Sequence, residues 1–304
     1  MKLIVSLAFL SGLLLALFLW LRPVVGSVGS PAPPNVKGQA STPVADGTSV
    51  GGPAAASPAS TFGPPVPRPG AADAARVGVE HSDEIERAIL ELVNQERAKA
   101  GTGPLQADGT LRATAEGHSD DMFVRNFFAH EDPDGLSAAD RIAQAHRRLI
   151  GLTGENIWMG VNIDLSEPKR AAASIMDDWM HSPGHRSNIL KKEYTHLGVG
   201  VAVKGRDVRA TQNFAAVYAL TEQAVPARIN GGEGLNLSAR PVGAGAAPDR
   251  FEFFSPDKGV GVGGVRLIAG ATVPEPKDVP AGIYKLRFIF PQGVTCWGPQ
   301  VEVR

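Results

Sequence analysis

The prolines of this chain are unevenly placed, and their distribution limits what can fold. Eleven of the 24 fall between Pro23 and Pro69. From Ser27 to about Glu80 the sequence is Pro, Ala, Gly, Ser and Thr with few large apolar side chains, as in SPAPPNV, GGPAAASPAS and TFGPPVPRPG. Such a segment cannot bury enough apolar surface to offset the entropy of ordering it, so residues 27–80 are expected to be a disordered linker. A flexible chain of ~54 residues spans about 40 Å r.m.s., and the prolines stretch it further. Any folded part must be built mainly from the residues that follow.

The linker is preceded by an apolar run, Leu3–Leu21, with Lys2 before it and Arg22-Pro23 after it. As a helix of 19 residues it would measure about 28 Å, close to the bilayer core. Residues 1–26 are therefore expected to be a cleaved signal peptide or an uncleaved membrane anchor, and both readings export the rest of the chain. Export gives meaning to the single cysteine, Cys296. No intramolecular disulfide can form, and a cysteine-clustered zinc or iron–sulfur site is excluded, so the folded part must stand on its core alone. That pattern fits a bacterial-type envelope protein. With 30 basic and 31 acidic residues, the chain lacks the basic excess of a general nucleic-acid binder.

Order is expected from Ser82. In SDEIERAILELVNQERAKAG, Ile85, Ile89, Leu92 and Val93 share one helical face, Ser82 is an N-cap and Gly101 a stop. A second helix spans about Gly109–Arg125, with Leu111, Ala115, His118 and Met122 in a stripe. A third starts at Ser137, whose Ser-x-x-Asp140 is a variant capping box, and carries Ile142, Ala145 and Leu149. A fourth starts after Ser166 with Pro168 early in its first turn and ends near His181. The period then becomes two: HLGVGVAVKG and DVRATQNFAAV are strands around Lys204-Gly205-Arg206. Helices followed by strands define an α+β domain over residues 81–222. After Thr221 only short strands separated by Gly and Pro turns remain, so residues 223–304 are expected to be a small β-sandwich. Tyr284, Leu286, Phe288 and Phe290 alternate with Lys285 and Arg287 as one half-buried strand. GVGVGG near residue 260 is expected to be a turn.

Two of the seven histidines and one glutamate lie in loop-like segments with polar or glycine context: His130 in NFFAH before EDPDG, Glu155 in GENI and His185 in SPGHRSNIL. Their separations of 25 and 30 residues match no metal template. HSPGH has helical i, i+4 spacing, but Pro183-Gly184 should break that helix, and there is no HExxH glutamate. His118 is expected to be a core histidine and His146 an exposed one. His181 lies four residues before His185 in HSPGH, and Asp177 and Asp178 are expected to be a solvated face.

NFFAH, GENI, WMHSPGHRSNIL, HLGVGV and TQNF together resemble, in order and spacing, a bacterial domain of the CAP superfamily of cysteine-rich secretory proteins, antigen 5 and pathogenesis-related proteins. The resemblance spans about Ser82–Thr221 and implies an α-β-α sandwich. It implies a cleft of two histidines and two glutamates, in some members around a divalent metal. Carried over by position, His130, Glu155 and His185 correspond to three of the four, and Ser182 stands where the second glutamate would be. Ser182 and Asn188 join the three as candidate ligand-binding residues, and Asn156 and Asn188 should hydrogen-bond loop backbone. His130 and His185 are candidate metal ligands, for zinc or calcium. With the N-terminal apolar run, the linker, the incomplete set of four and the appended strands, the expected function is that of a non-catalytic exported protein, secreted or anchored, whose cleft binds a cell-envelope lipid, glycan or peptide. The alternative is a metal-dependent hydrolase or peptidase, with Glu155 as a base.

Overall fold

The computed structural model describes residues 71–231, 235, 237–243, 245–256, 258–267 and 279–304. The chain divides into two units, residues 1–35 and 36–304, and every described residue belongs to the second. The apolar run at residues 3–21 and the linker up to residue 70 lie outside the described residues. Among the described residues no helix is long and apolar enough to cross a membrane.

The linker ends earlier than its composition suggested. Residues 71–80, expected to be disordered, include helix α1 (Ala71–Arg76) and the start of strand β1 (Glu80–His81). Ala74 and Val79 are buried there against Ala202. Helix α2 (Asp83–Lys99) begins where Ser82 predicted, and the Ser82 side chain accepts from the Ile85 N–H. Strand β2 (Gln106–Ala107) precedes α3 (Gly109–Val124), which Asp108 caps. Helix α4 (Ala138–Ala145) carries a complete capping box between Ser137 and Asp140. It stops short of Leu149, which instead opens strand β3 (Leu149–Gly160). Helix α5 (Pro168–His181) is followed at once by α6 (Pro183–Leu190). Pro183 does break the helix, but as the first residue of a new one. Strands β4 (His196–Lys204) and β5 (Asp207–Thr221) form the expected hairpin.

Helices cover both faces of this sheet. On β4, Leu197, Val199 and Val201 point into a core shared with α2 and α5. The alternate residues Gly198 and Gly200 face α3 so closely that a Cβ at either would collide with its backbone, at Arg112 and Glu116 respectively. The period-two pattern of glycines is thus a track on which α3 lies directly on the sheet. Leu111 of α3 and Ile142 of α4 pack on the same side, against Ala215 and Val217 of β5. The α+β class and the α-β-α layering follow from this alternation.

The C-terminal strands depart from expectation. After the short strands β6 (Arg228–Ile229) and β7 (Ala239–Pro241) come β8 (Arg250–Ser255), β9 (Val260–Arg266), β10 (Gly282–Ile289) and β11 (Thr295–Val303). The GVGVGG stretch expected as a turn is part of β9. Among the described residues these strands do not make a sandwich of their own. They continue the same sheet, in the order β1-β4-β5-β3-β11-β10-β8-β9, with β2 on β4, β6 on β11 and β7 on β5. β11 joins β3 through one antiparallel pair, Trp297 with Gly151, and β7 joins β5 between Ala219–Thr221 and Ala239–Pro241. Tyr284, Leu286, Phe288 and Phe290 do alternate into a core, and that core includes Ile150 and Ala219 from the earlier strands. Cys296 is buried within it.

Candidate functional site

Glu155 was expected in a loop. It lies in the middle of β3, paired with Asn213 of β5, with its side chain on the α3/α4 side of the sheet and 1% exposed. Each carboxylate oxygen has a partner. Oε1 accepts from His130 Nδ1 at 2.8 Å, and Oε2 accepts from Arg141 Nη2 at 2.6 Å. With its amide oriented so that the oxygen accepts from the Ala115 N–H, Asn213 also donates to Oε2 at 3.3 Å. Arg141, 1% exposed, further donates through Nη1 to the carbonyls of His130 (2.8 Å) and Leu136 (2.7 Å). One buried guanidinium therefore ties the His130 loop, the turn before α4 and the β3 carboxylate together.

His130 sits in an irregular segment, as expected, with its side chain 13% exposed. Its Nδ1 lies on the Glu155 carboxylate, so Nε2 points to the other side of the ring. His185 lies in α6, not in a loop, and is buried, with Nε2 lacking a hydrogen-bond partner in the protein. Beyond Gly151, β3 has no strand neighbour on its β11 side among the described residues. There the carbonyls of Glu155 and Ile157 accept from Asn188 Nδ2 (3.2 Å) and Trp179 Nε1 (3.3 Å). Asn188 also donates to Asn156 Oδ1, and Asn156 donates to the His185 carbonyl (3.1 Å). The two asparagines thus seat α6 beside β3, bonding backbone as expected. Ser182 is nearly buried and its N–H bonds Trp179 O, so it stands at the start of α6.

Burial raises the Glu155 pKa, but Arg141, His118 and His130 outweigh it and hold the carboxyl down at about 2. His118 is lowered to about 3, by burial first and then by Arg141, so it is uncharged near neutrality and Arg141 is the stronger counter-charge to Glu155. His118 Nε2 bonds the Ala129 carbonyl at 3.0 Å, as befits a core histidine, while its Nδ1 has no protein partner. His185 is lowered to about 4, by burial first and then by His130. Near pH 7 the cluster therefore combines neutral imidazoles at positions 118 and 185 with an ionised, neutralised carboxylate.

The site does not offer the set of oxygen ligands that calcium takes. For zinc it offers two imidazoles, His130 and His185, short of the three protein ligands of a catalytic site. Glu155 has its oxygens on His130 and Arg141, so it stands behind His130, where a carboxylate orients a metal-binding imidazole. Among the described residues, the groups near enough to share a cation are Asp83, Glu86 and Glu116 instead, and Arg112 already bridges all three. Other candidates also resolve. His146 was expected to be exposed but is 13% exposed in its side chain and lies 3.3 Å from Asp108. Asp178 is exposed, as expected, and accepts from Trp158 Nε1 at 2.9 Å. His181 is 77% exposed in its side chain and bonds the Asp177 carbonyl at 2.8 Å. Sequence reasoning missed Arg141, because an arginine two turns from a glutamate-bearing strand carries no local sign of its burial.

Comparison with known proteins bears on the same stretch. Residues 90–217 match the cysteine-rich secretory protein (CAP) family. Over those residues the chain carries a CAP domain. Among curated proteins it is 36% identical to YkwD of Bacillus subtilis over 124 residues, 40% of this chain and 43% of that one. It is 36% identical to the B. subtilis membrane protein YlbC over 129 residues, 42% of this chain and 34% of that one. The chain thus spans less than half the length of these relatives. Among solved structures it resembles an extracellular SCP-domain protein from Bacillus anthracis, at 33% identity and TM-score 0.35, covering 43% of this chain and 40% of that one. The CAP match includes α3 to α6, β3, β4 and most of β5, and hence every cleft residue named above.

Proposed function

We propose that this is an extracytoplasmic binding protein of the cell envelope, whose CAP cleft takes the hydroxyl or amide groups of a glycan or peptide. The observation that supports it best is the state of Glu155. A carboxylate held at about 2 by a buried arginine is too weakly basic to accept a proton at neutral pH. Ser182 offers no second carboxylate, so paired acid–base hydrolysis lacks both partners. What the cleft offers is hydrogen-bonding capacity: His185 Nε2 is buried without a protein partner, and the neighbouring His130 side chain, 13% exposed, reaches the surface. Buried polar atoms left unpaired are costly, and a polar ligand group in the cleft would satisfy them. Export and envelope location rest on the apolar run Leu3–Leu21 and on the membrane-protein description of YlbC.

Binding is tested by calorimetry on the full-length protein with three probes: soluble muropeptides, glycan strands stripped of peptide, and free stem peptides. One class should bind, with affinity falling about tenfold or more in His185→Leu as one buried hydrogen bond is lost. If no probe binds, or His185→Leu binds as well as the parent, the cleft reading fails. A second reading, a hydrolase, draws on the 2.8 Å His130–Glu155 bond, which orients an imidazole as a general base requires. Cleavage of any of the three probes, lost in His130→Gln, would favour it over binding alone.

A further inference from the structure

The C-terminal strands lie outside the CAP match, and the cleft reading gives them no task. Their contact with α4 suggests one. Helix α4 has only 8 residues, a length that is marginal without tertiary support. Its capping residue Asp140 has both oxygens engaged. Oδ2 accepts from the Ser137 N–H (3.0 Å) and hydroxyl (2.6 Å), while Oδ1 pairs with Lys285 Nζ of β10 at 2.7 Å. The pair is largely buried, with side chains 8% and 16% exposed, and Lys285 also lies 5.9 Å from the Trp297 ring centre. Trp297 makes the single pair that joins β11 to β3. The crevice between α4 and these strands, lined by Ala139, Ile142, His146, Gly151, Lys285 and Trp297, holds only about 20 Å³. Arg141, the residue after Asp140, is the one that holds Glu155 and the His130 carbonyl.

We propose that the C-terminal strands buttress the CAP cleft, and that Lys285 is the positioning residue that seats α4 and so sets Arg141 against Glu155. Without the ammonium, Asp140 becomes a buried, unpaired carboxylate at the first turn of a two-turn helix. The helix then relieves that burial by lifting from β11, and the Arg141 fork loses its alignment. This role holds whatever the cleft binds.

The test reads cleft order at single residues and needs no ligand. Full-length Lys285→Met and Lys285→Arg proteins are treated with diethyl pyrocarbonate, and carbethoxylation of each histidine is followed by mass spectrometry. In Lys285→Met, His130 and His185 should react about fivefold faster or more, the factor set by ~1 kcal/mol of local destabilisation. His81 and His181, away from α4, should keep the parental rates, and Lys285→Arg should restore slow reaction at the cleft. Unchanged rates at His130 and His185 would overturn the proposal, as would an equal rise at all histidines, which marks general loosening. If Lys285→Met does not fold, hydrogen exchange on the unmodified protein decides. The α4 amides should open together with β10 and β11, and opening with α2 and α3 instead would refute the buttress.

Discussion

Replacing Arg141 with methionine removes the charge that lets Glu155 stay ionised in the interior. Its cost can be worked from the carboxyl itself. Glu155 is lowered from 4.5 to about 2, and 2.5 units at 1.36 kcal/mol each is about 3 kcal/mol of stabilisation near neutrality. That agrees with the ~3–5 kcal/mol lost when one partner of a buried pair is removed. For an ordered region of this size it means a fall in Tm of roughly 6–12 °C. The sign with pH is equally specific. In the parent the folded pKa is depressed, so this stability is present above pH 4.5 and is lost as pH falls towards 2. In Arg141→Met, burial acts on Glu155 with only His118 and His130 left against it, so the pKa rises and the parental loss of stability in acid should disappear. Adding Glu155→Gln should recover most of the loss, because it removes the stranded charge. Urea unfolding of the parent, both single variants and the double variant at pH 3–7 reads all of this. A loss below about 1 kcal/mol, or a parental acid slope in Arg141→Met, would refute the assignment of Arg141 as the counter-ion.

Two further outcomes follow from the same geometry. His185 is lowered from 6.5 to about 4, by burial first and then by His130, so the fold resists its protonation and stability falls as pH drops from 6.5 towards 4, where only the unfolded chain takes the proton. In His185→Gln the stability profile should flatten across that interval in pH-dependent thermal melts. Gly200→Ala would drive a Cβ into the α3 backbone at Glu116, whereas Gly205, at φ +64 with open space around it, suffers only backbone strain as alanine. Urea midpoints should show Gly200→Ala costing about 2 kcal/mol or more and Gly205→Ala about 1.

The parts of the fold that could be read from sequence are those with one wet face. The stripes of α2, α3 and α5, the capping box of α4 and the alternation in β10 each leave polar residues at solvent positions, so their period shows. Strand β3 hides because both its faces are covered: LIGLTGENIWMG has no polar phase, and its glycines mimic a loop. The C-terminal strands were legible as strands but not as part of the first sheet, because the Trp297–Gly151 pair joins residues far apart in the chain. In the cleft, His130, Glu155 and His185 stood out by residue type and context and were aligned by resemblance, and the geometry adds their hydrogen-bond partners. The motif did not show that Glu155 is neutralised, since Arg141 lies in an amphipathic helix where an arginine is ordinarily exposed.

Cys296 gives the molecule a built-in clock. It is 1% exposed, and burial pushes its thiol up to about 11, so it is protonated and shielded while β11 stays in place. A thiol-reactive dye added to the unmodified protein can therefore label only molecules whose last strand has come away, and the labelling rate counts those departures. The same shielding makes the chain indifferent to the redox state of its surroundings. It can neither cross-link to a second copy nor be capped by a small disulfide until the sheet has already parted at that strand.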